Sequence, residues 1–326
     1  MNAFALVHDP RPCQFGMLLW LTMAVAWLAG CDSGEAPLKI GTYPWLGFST
    51  LYHAKALGLF NDKEVTLVDL GNTREVAKAF SEGSVDAAAL TLDEALRLAY
   101  MRTPGTVVMV FGHSKGGDAL VARPGITTIG ELRGRRVGVE TSSEGDYLLE
   151  RMLGEGGMHR SDVRIVDIDF DRQEQAYLAG EVDALVTMDP VRSRLLGLGA
   201  RVLYSSRNIE GELLDVLLVN KEALERQPEN VTRAVAAHFR SLDLMMDDPM
   251  AAAMRLRAKY GDPGNILSGW TQIEFAGRGA NLRLLGNGDF RNLAQRVERN
   301  MVRYGLIASE AVEPVKVNDR YVRSSP

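Results

Sequence analysis

The chain has 326 residues, room for two domains of ordinary size, and its 46% hydrophobic and 24% charged content suits packed cores under a solvated surface. A formal net charge of −5, with no basic run to neutralise phosphates, argues against nucleic acid as a partner. Beyond the N-terminal region no apolar stretch is long enough to span a bilayer.

In chain order, the first element is Met17–Trp27, an uncharged apolar run of secretory h-region length rather than membrane-spanning length. It leads into Leu28-Ala29-Gly30-Cys31 and then a polar stretch, Asp32-Ser33-Gly34-Glu35. Small residues before a cysteine resemble the bacterial lipobox. Residues 1–30 are therefore expected as a lipoprotein signal peptide and 31–37 as a tether. Cys31 would carry lipid and hold the mature chain at a membrane surface. Cys13 leaves with the signal, so no internal disulfide is possible.

Leu38–Thr42 reads as a short buried strand, followed by the loop Tyr43-Pro44-Trp45 and a helix with Leu51, Ala54 and Leu57 on one face, stopped by Gly58. A strand that enters a helix through an exposed loop puts that loop at the carboxyl edge of a sheet, where open α/β folds bind small ligands. Strands are expected at Val65–Leu70, Val85–Leu90 and Thr106–Phe111, with helices at Thr73–Glu82 and Glu94–Met101 between them. After a loop at Gly112–Gly117, Asp118–Arg123 is expected to cross into a second lobe. There a second strand–loop–helix unit spans Arg136–Gly154, with Glu140–Gly145 as its loop. The strand Val163–Ile168, the helix Gln173–Ala179 and the strand Val182–Thr187 follow, and the chain returns through Asp215–Asn220. From Lys221 the composition turns helical, at Pro228–Met246, Pro249–Tyr260 and Phe290–Tyr304.

Three matches recur at a spacing of 97 residues: Lys39-Ile40-Gly41 with Arg136-Val137-Gly138, the stretch from Ala79 to Ala87 with that from Ala176 to Ala184, and Asp118–Val121 with Asp215–Leu218. They argue for two similarly built α/β lobes. The expected lobes are 38–120 with 217–326, and 121–216, joined by two crossing strands, with the C-terminal helices packed on the first lobe. Such a chain closes about a hinge on a ligand. Lys39–Trp45, Gly83–Asp93, Gly117–Ile126 and Gly180–Arg192 resemble the substrate-binding lipoproteins of ABC importers for nitrate, sulfonates and taurine, a group that includes binders of thiamine-precursor pyrimidines. The resemblance implies a two-lobed periplasmic-binding-protein fold, type II-like. It also implies a monomer on the extracytoplasmic face, partnered by a permease and an ATPase and delivering a small polar solute to them.

In such a fold the strand-end loops converge on the cleft. Tyr43 and Trp45 are candidates to sandwich a flat or apolar part of a solute, although either ring would also serve as a core cap. Thr141, Ser142 and Ser143 precede a helix and would favour an anionic group, or simply cap that helix. Asp93 and Asp189 fall at matching strand ends, Asp118 and Asp215 at the two crossings, and Thr91 stands beside Asp93. Acids in a closed cleft repel nitrate or sulfate and suit amines, amidines or ring N–H groups. A sulfonate or taurine-like zwitterion, or an aminated heterocycle, would reconcile the two sets. Asp86 and Asp183, at strand starts away from the binding edge, are assigned to structure.

Gly112-His113-Ser114-Lys115-Gly116 fits the G-x-S-x-G pattern of a nucleophile elbow, but a strand-like stretch and Pro124 follow where that motif needs a helix. Ser114 is instead a candidate hydroxyl of the cleft. The five histidines are scattered with no metal-ligand spacing, and no phosphate-cradling glycine motif is present. No cofactor and no metal are expected. The alternative to a receptor is a pyrimidine-biosynthesis type of enzyme, or a ligand-binding sensor subunit, on the same fold.

Overall fold

The computed structural model describes Met1 and residues 36–141, 144–310 and 313–325, and the structural statements below concern those residues. Residues 2–35, which hold the expected signal peptide and Cys31, and Ser142 and Ser143 lie outside the described residues.

The first half runs β1 (Leu38–Thr42), α1 (Ser49–Ala56), β2 (Val65–Asp69), α2 (Thr73–Ser81), β3 (Ala87–Thr91), α3 (Leu92–Tyr100) and β4 (Thr106–Ser114). Then come β5 (Ala119–Ala122), β6 (Arg136–Val139), α4 (Glu144–Glu155), β7 (Arg164–Asp167), α5 (Phe170–Ala179), β8 (Ala184–Thr187), α6 (Val191–Gly197), β9 (Arg201–Ser205) and β10 (Leu214–Val219). The C-terminal part holds α7 (Lys221–Arg226), α8 (Pro228–Asp247), α9 (Pro249–Tyr260), α10 (Pro263–Trp270), β11 (Ile273–Phe275), α11 (Arg278–Gly286), α12 (Asp289–Arg303), β12 (Lys316–Val317) and α13 (Arg320–Arg323). No helix among the described residues is long and apolar enough to cross a membrane.

The strands form two sheets within one compact unit, Ala36–Pro326. The first has the order β11-β4-β10-β3-β1-β2 with β12 also on β4; the second has the order β7-β6-β8-β5-β9. The 97-residue echo holds down to single hydrogen bonds. Asp86 accepts the Lys39 amide at 2.9 Å and Asp183 accepts the Arg136 amide at 2.9 Å. Ile40 faces Ala87 as Val137 faces Ala184. Both aspartates tie the start of a parallel strand to its neighbour, which is the structural role their positions suggest.

The central strands are built for burial on both faces. In β3 every residue from Ala87 to Thr91 is buried, so the run is continuously apolar instead of alternating. In α2, Val76 and Phe80 point inward, and Asn72 caps its start by accepting the Glu75 amide at 2.9 Å. Proline occupies the first turn of α8, α9 and α10, where its missing N–H would have had no partner. These helices cover the first sheet from one side, α8 against α1 and α9 against α10, while α12 lies on α3.

Passage between the sheets is narrower than the two crossing strands expected. β5 lies wholly in the second sheet, between β8 and β9, and β10 wholly in the first, between β3 and β4. Each is paired on both edges inside one sheet, so sheet membership changes only at 115–118 and 206–213, and positions 120/121 and 216/217 fall inside strands. The two passages are tied to each other. The Ser114 amide donates to the Leu213 carbonyl (3.0 Å) and the Ser206 amide to the Asp118 carbonyl (2.9 Å). The Ser206 hydroxyl accepts the Gly116 amide at 2.7 Å.

Candidate functional site

β3, β6 and β10 end or begin at one place, the seam between the two sheets. Trp45 leaves β1 and lies between two glycines. A Cβ on Gly47 would stand 2.2 Å from its indole nitrogen, and one on Gly117 would stand 2.6 Å from its far ring edge. Only glycine admits the ring at these positions. Its Nε1 donates to Asp215 at 2.9 Å. Tyr43 packs edge-on against Phe48, centroids 5.3 Å apart, and both rings are at most 2% exposed. The two aromatics are thus continuous with the core and do not form an open sandwich.

The remaining candidates fall into two groups. Thr91 caps α3: its hydroxyl donates to Asp93 at 2.8 Å, and its amide donates to Glu94 at 3.0 Å, completing a capping box. Thr91, not Asp93, is therefore the cap. Asp93, Asp118 and Asp215 are buried at the seam. Ser114 instead ties the two passages together, with its hydroxyl 2.8 Å from that of Ser206 and accepting the Asp118 amide at 3.1 Å. Asp189 caps α6 through the Ser193 amide (3.0 Å) and faces Arg192 at 3.4 Å. Thr141 donates its amide to Asp167 at 3.0 Å on the rim of the second sheet.

Burial of acids sets this place apart. Ten Asp and Glu side chains are buried. Five of them meet a base: Glu140 with Arg74 (3.8 Å), Asp146 and Glu150 with Arg160 (2.6 and 2.7 Å), Asp189 with Arg192 (3.4 Å), and Glu212 with Arg151 (2.9 Å). The other five are Asp93, Glu94, Asp118, Glu144 and Asp215. For these no Lys, Arg or His nitrogen lies within 4 Å among the described residues. Asp93 Oδ2 and Glu144 Oε2 have no hydrogen-bond partner at all, and Thr187 Oγ1 and Gln173 Oε1 nearby are in the same condition. Asp118, Glu140, Glu144, Gln173 and Thr187 line one small cavity of about 10 Å³. That is space for about one water.

The electrostatics follow from the geometry. Loss of water pushes Glu94 up to about 7, with the neighbouring Asp93 charge adding to it. Burial likewise pushes Asp118 up to about 7, against a hydrogen bond from Ser114 that favours the charged form. Glu144 is driven well above the usual carboxylate range by burial, then by Glu94 and Asp118. Asp215 is driven up by burial although Trp45 donates to it. Such a set attracts ammonium, amidinium and ring N–H groups and repels a sulfonate.

Glu94 and Glu144 were not among the residues singled out from sequence. Each lies in the first turn of a helix that follows a strand end, and there an acid looks like ordinary capping. The feature that marks them is that the two sheets bring those helix starts face to face. Arg74 spans the seam beside them, reaching Asp167 at 2.9 Å, Asp169 and Glu140. The G-x-S-x-G stretch has no strand-to-helix turn: Gly112-His113-Ser114 is the end of β4, paired with β10 and β11, and the chain goes on to β5. Among the described residues, one trio has metal-ligand spacing, His113, Glu210 and Glu274, and Lys115 already sits in it, 2.7 Å from Glu274.

The family model described as NMT1/THI5 like matches residues 46–252. A protein of Brucella abortus (strain 2308), named as a candidate binding protein, is 24% identical over 136 residues, 40% of this chain and 43% of that protein. The matched stretch thus spans less than half the length of that relative. Among solved structures, the periplasmic aliphatic sulphonate binding protein SsuA from Escherichia coli superposes with a TM-score of 0.70 at 18% identity, covering 88% of this chain and 94% of its own. The alkanesulfonate-binding protein SsuA from Xanthomonas axonopodis pv. citri, bound to MOPS, gives 0.67 at 19% identity over 82% and 96%. The desulfurization enzyme DSZB gives 0.63 at 19% identity over 88% and 98%. These likenesses establish the fold, in line with the two-lobed α/β architecture expected from the sequence. With a family match over more than half its length, the chain belongs to the NMT1/THI5-like family.

Proposed function

We propose that this protein is the solute-binding component of an ABC importer, held at the extracytoplasmic face by lipid on Cys31 and passing a small polar solute to a permease. Family membership and the fold support the receptor role, and Leu28-Ala29-Gly30-Cys31 supports the anchor. Each sheet with its helices acts as a lobe, 115–118 and 206–213 act as the hinge, and the solute sits at the acidic seam. One observation carries the choice of solute: five buried carboxyl groups with no base within 4 Å among the described residues, two of them with an oxygen that has no hydrogen-bond partner. A buried carboxylate without a partner costs several kcal/mol, and nitrogen donors on a solute offset that cost while an anion adds to it. Amines and aminated heterocycles fit best, and a taurine-like zwitterion fits through its amine. Catalysis has no part in this reading.

Calorimetric titration of the detergent-purified full chain with primary amines, an aminopyrimidine, taurine, alkanesulfonates and nitrate tests it. Nitrogen-bearing compounds are expected to bind in the micromolar range or tighter, and nitrate not at all. Tight binding confined to nitrate and simple alkanesulfonates would sink the proposal.

A further inference from the structure

We infer that the seam takes a cationic solute in exchange for protons. The empty protein holds at least one proton among Asp93, Glu94, Asp118, Glu144 and Asp215, and the bound solute replaces it. The inference rests on the receptor reading with a nitrogen-bearing solute, and adds to it a proton released at each binding event.

Packing is the first argument. The five acids reach one place from separate parts of the chain: Asp93 and Glu94 from the start of α3, Glu144 from the start of α4, Asp215 from β10 and Asp118 from the 115–118 passage. All five are buried. Asp118 and Glu144 share the wall of one cavity of about 10 Å³ with Glu140. The buried Tyr43 lies in the field of Glu144, Glu94, Asp215 and Asp118 together. After the loss of water, the charges that press on Glu144 are Glu94 and then Asp118, the charge on Glu94 is Asp93, and the leading one on Asp215 is Asp118. The acids thus form one interacting group.

The supply of counter-charge is the second. Arg97 favours the charged form of Asp93, but the acid it approaches is Asp146, at 3.8 Å. Arg192 favours the charged form of Asp118, but the acid it approaches is Asp189, at 3.4 Å. Arg74 approaches Glu140 at 3.8 Å and Asp167 at 2.9 Å. The remaining help is neutral: Thr91 donates to Asp93 and Glu94, Thr73 favours ionised Glu94, Ser114 favours ionised Asp118, and Trp45 donates to Asp215. Asp93 Oδ2 and Glu144 Oε2 still have no hydrogen-bond partner. Two guanidinium groups, each closer to another acid, do not balance five carboxylates from which water has been removed. Like charges in such a place cannot all ionise, so protons stay. Burial accordingly holds Glu94 and Asp118 up at about 7.

The sign of the linkage follows. An ammonium set against these groups favours their charged form, so their protons leave as it binds. Affinity is complete above about pH 7 and is lost as pH falls below it.

Calorimetry on the detergent-purified full chain with 1-aminobutane and with tetramethylammonium tests this. Titration at pH 7 in phosphate and in Tris, whose heats of ionisation differ, counts the protons released. About 0.5 proton or more per bound cation is expected. The dissociation constant is expected to rise about tenfold or more from pH 7 to pH 5, a range in which both probes keep their charge. Glu144→Gln is expected to lower the proton count and flatten that rise. Infrared spectroscopy of the ligand-free protein at pH 7 gives a readout that needs no ligand: the carbonyl stretch of protonated carboxyl groups is expected, and is expected to weaken when 1-aminobutane is added. Absence of that band overturns the exchange. Binding of either cation with no proton released and with affinity unchanged from pH 5 to pH 7 also overturns it, as does binding of an aminopyrimidine alone without proton release; each leaves the receptor reading standing. Binding of an alkanesulfonate or nitrate and of neither cation overturns both. The measurements on the unmodified protein decide the matter even if Glu144→Gln fails to fold.

Discussion

Asp118 and Glu94 are each pushed up to about 7 by burial among other acids, so they fold as neutral carboxyls at mildly acid pH. The sign follows from linkage: a folded pKa above the unfolded one gives stability that is complete below about pH 4 and is lost as pH rises through about 7. For Asp118 the rise from 3.8 to about 7 corresponds to roughly 4 kcal/mol as an upper limit. His238 acts on the other limb. Burial lowers it to about 3, so its contribution is present above 6.5 and is lost as pH falls toward 3. The unfolding midpoint of the ligand-free protein is therefore expected to fall as pH rises from about 4 to 7, and Asp118→Asn is expected to flatten that fall. Differential scanning calorimetry across the range checks it; an unchanged pH slope in Asp118→Asn rules out Asp118 as its source. At this scale the sequence was informative about type and position. Asp93, singled out at a strand end, and Asp118 and Asp215, singled out at the two crossings, are all buried at the seam. Ser114 and Asp189 were singled out on the same footing, yet one ties the two passages together and the other caps α6.

Individual elements show where local pattern suffices. β1, β3, β6 and β8 follow from short apolar runs, and the structure pairs β1 with β3 and β6 with β8 in step with the 97-residue echo. The passages between the sheets do not, since a strand that crosses a seam and one that stops at it have the same composition. The passage at 115–118 works because Gly117 lets the indole of Trp45 lie against the backbone, with 2.6 Å to an added Cβ. Gly117→Ala is expected to displace the ring, destabilise the protein by about 1–3 kcal/mol and weaken the Trp45–Asp215 hydrogen bond. Urea unfolding together with the quenching of Trp45 fluorescence would report both effects. A variant as stable as the parent, with unaltered emission, would mean that the ring does not need this glycine.

For the whole molecule, Arg74 is the side chain that spans the two sheets most directly, from the first turn of α2 to Glu140, Asp167 and Asp169. A second bridge joins α12 to α4: Asn300 donates to the Tyr147 hydroxyl at 3.1 Å, and Tyr147 donates to Glu212 at 2.5 Å. On the proposed receptor role, a ligand favours closure by its preference for the closed arrangement, and these bridges add to that preference. Arg74→Ala is expected to weaken solute binding about tenfold and to raise the radius of gyration of the ligand-free protein in small-angle scattering. The bridge is partly solvated, so its direct effect on stability stays near 1 kcal/mol or less. Unchanged scattering and affinity would assign Arg74 to the surface alone.

What the sequence determined by itself was the α/β class and the doubled half; the leader with Cys31 and the binding edge are expectations that it raised. All of these are carried by local periodicity or by residues close together in the chain. Only the tertiary structure decided which acids lack a base, because a carboxylate's partner is chosen by proximity in space. Glu140 and Glu144 are four residues apart, and one finds Arg74 while the other finds none. That difference arises when two separately built sheets close on each other and expel the water that would otherwise have solvated both.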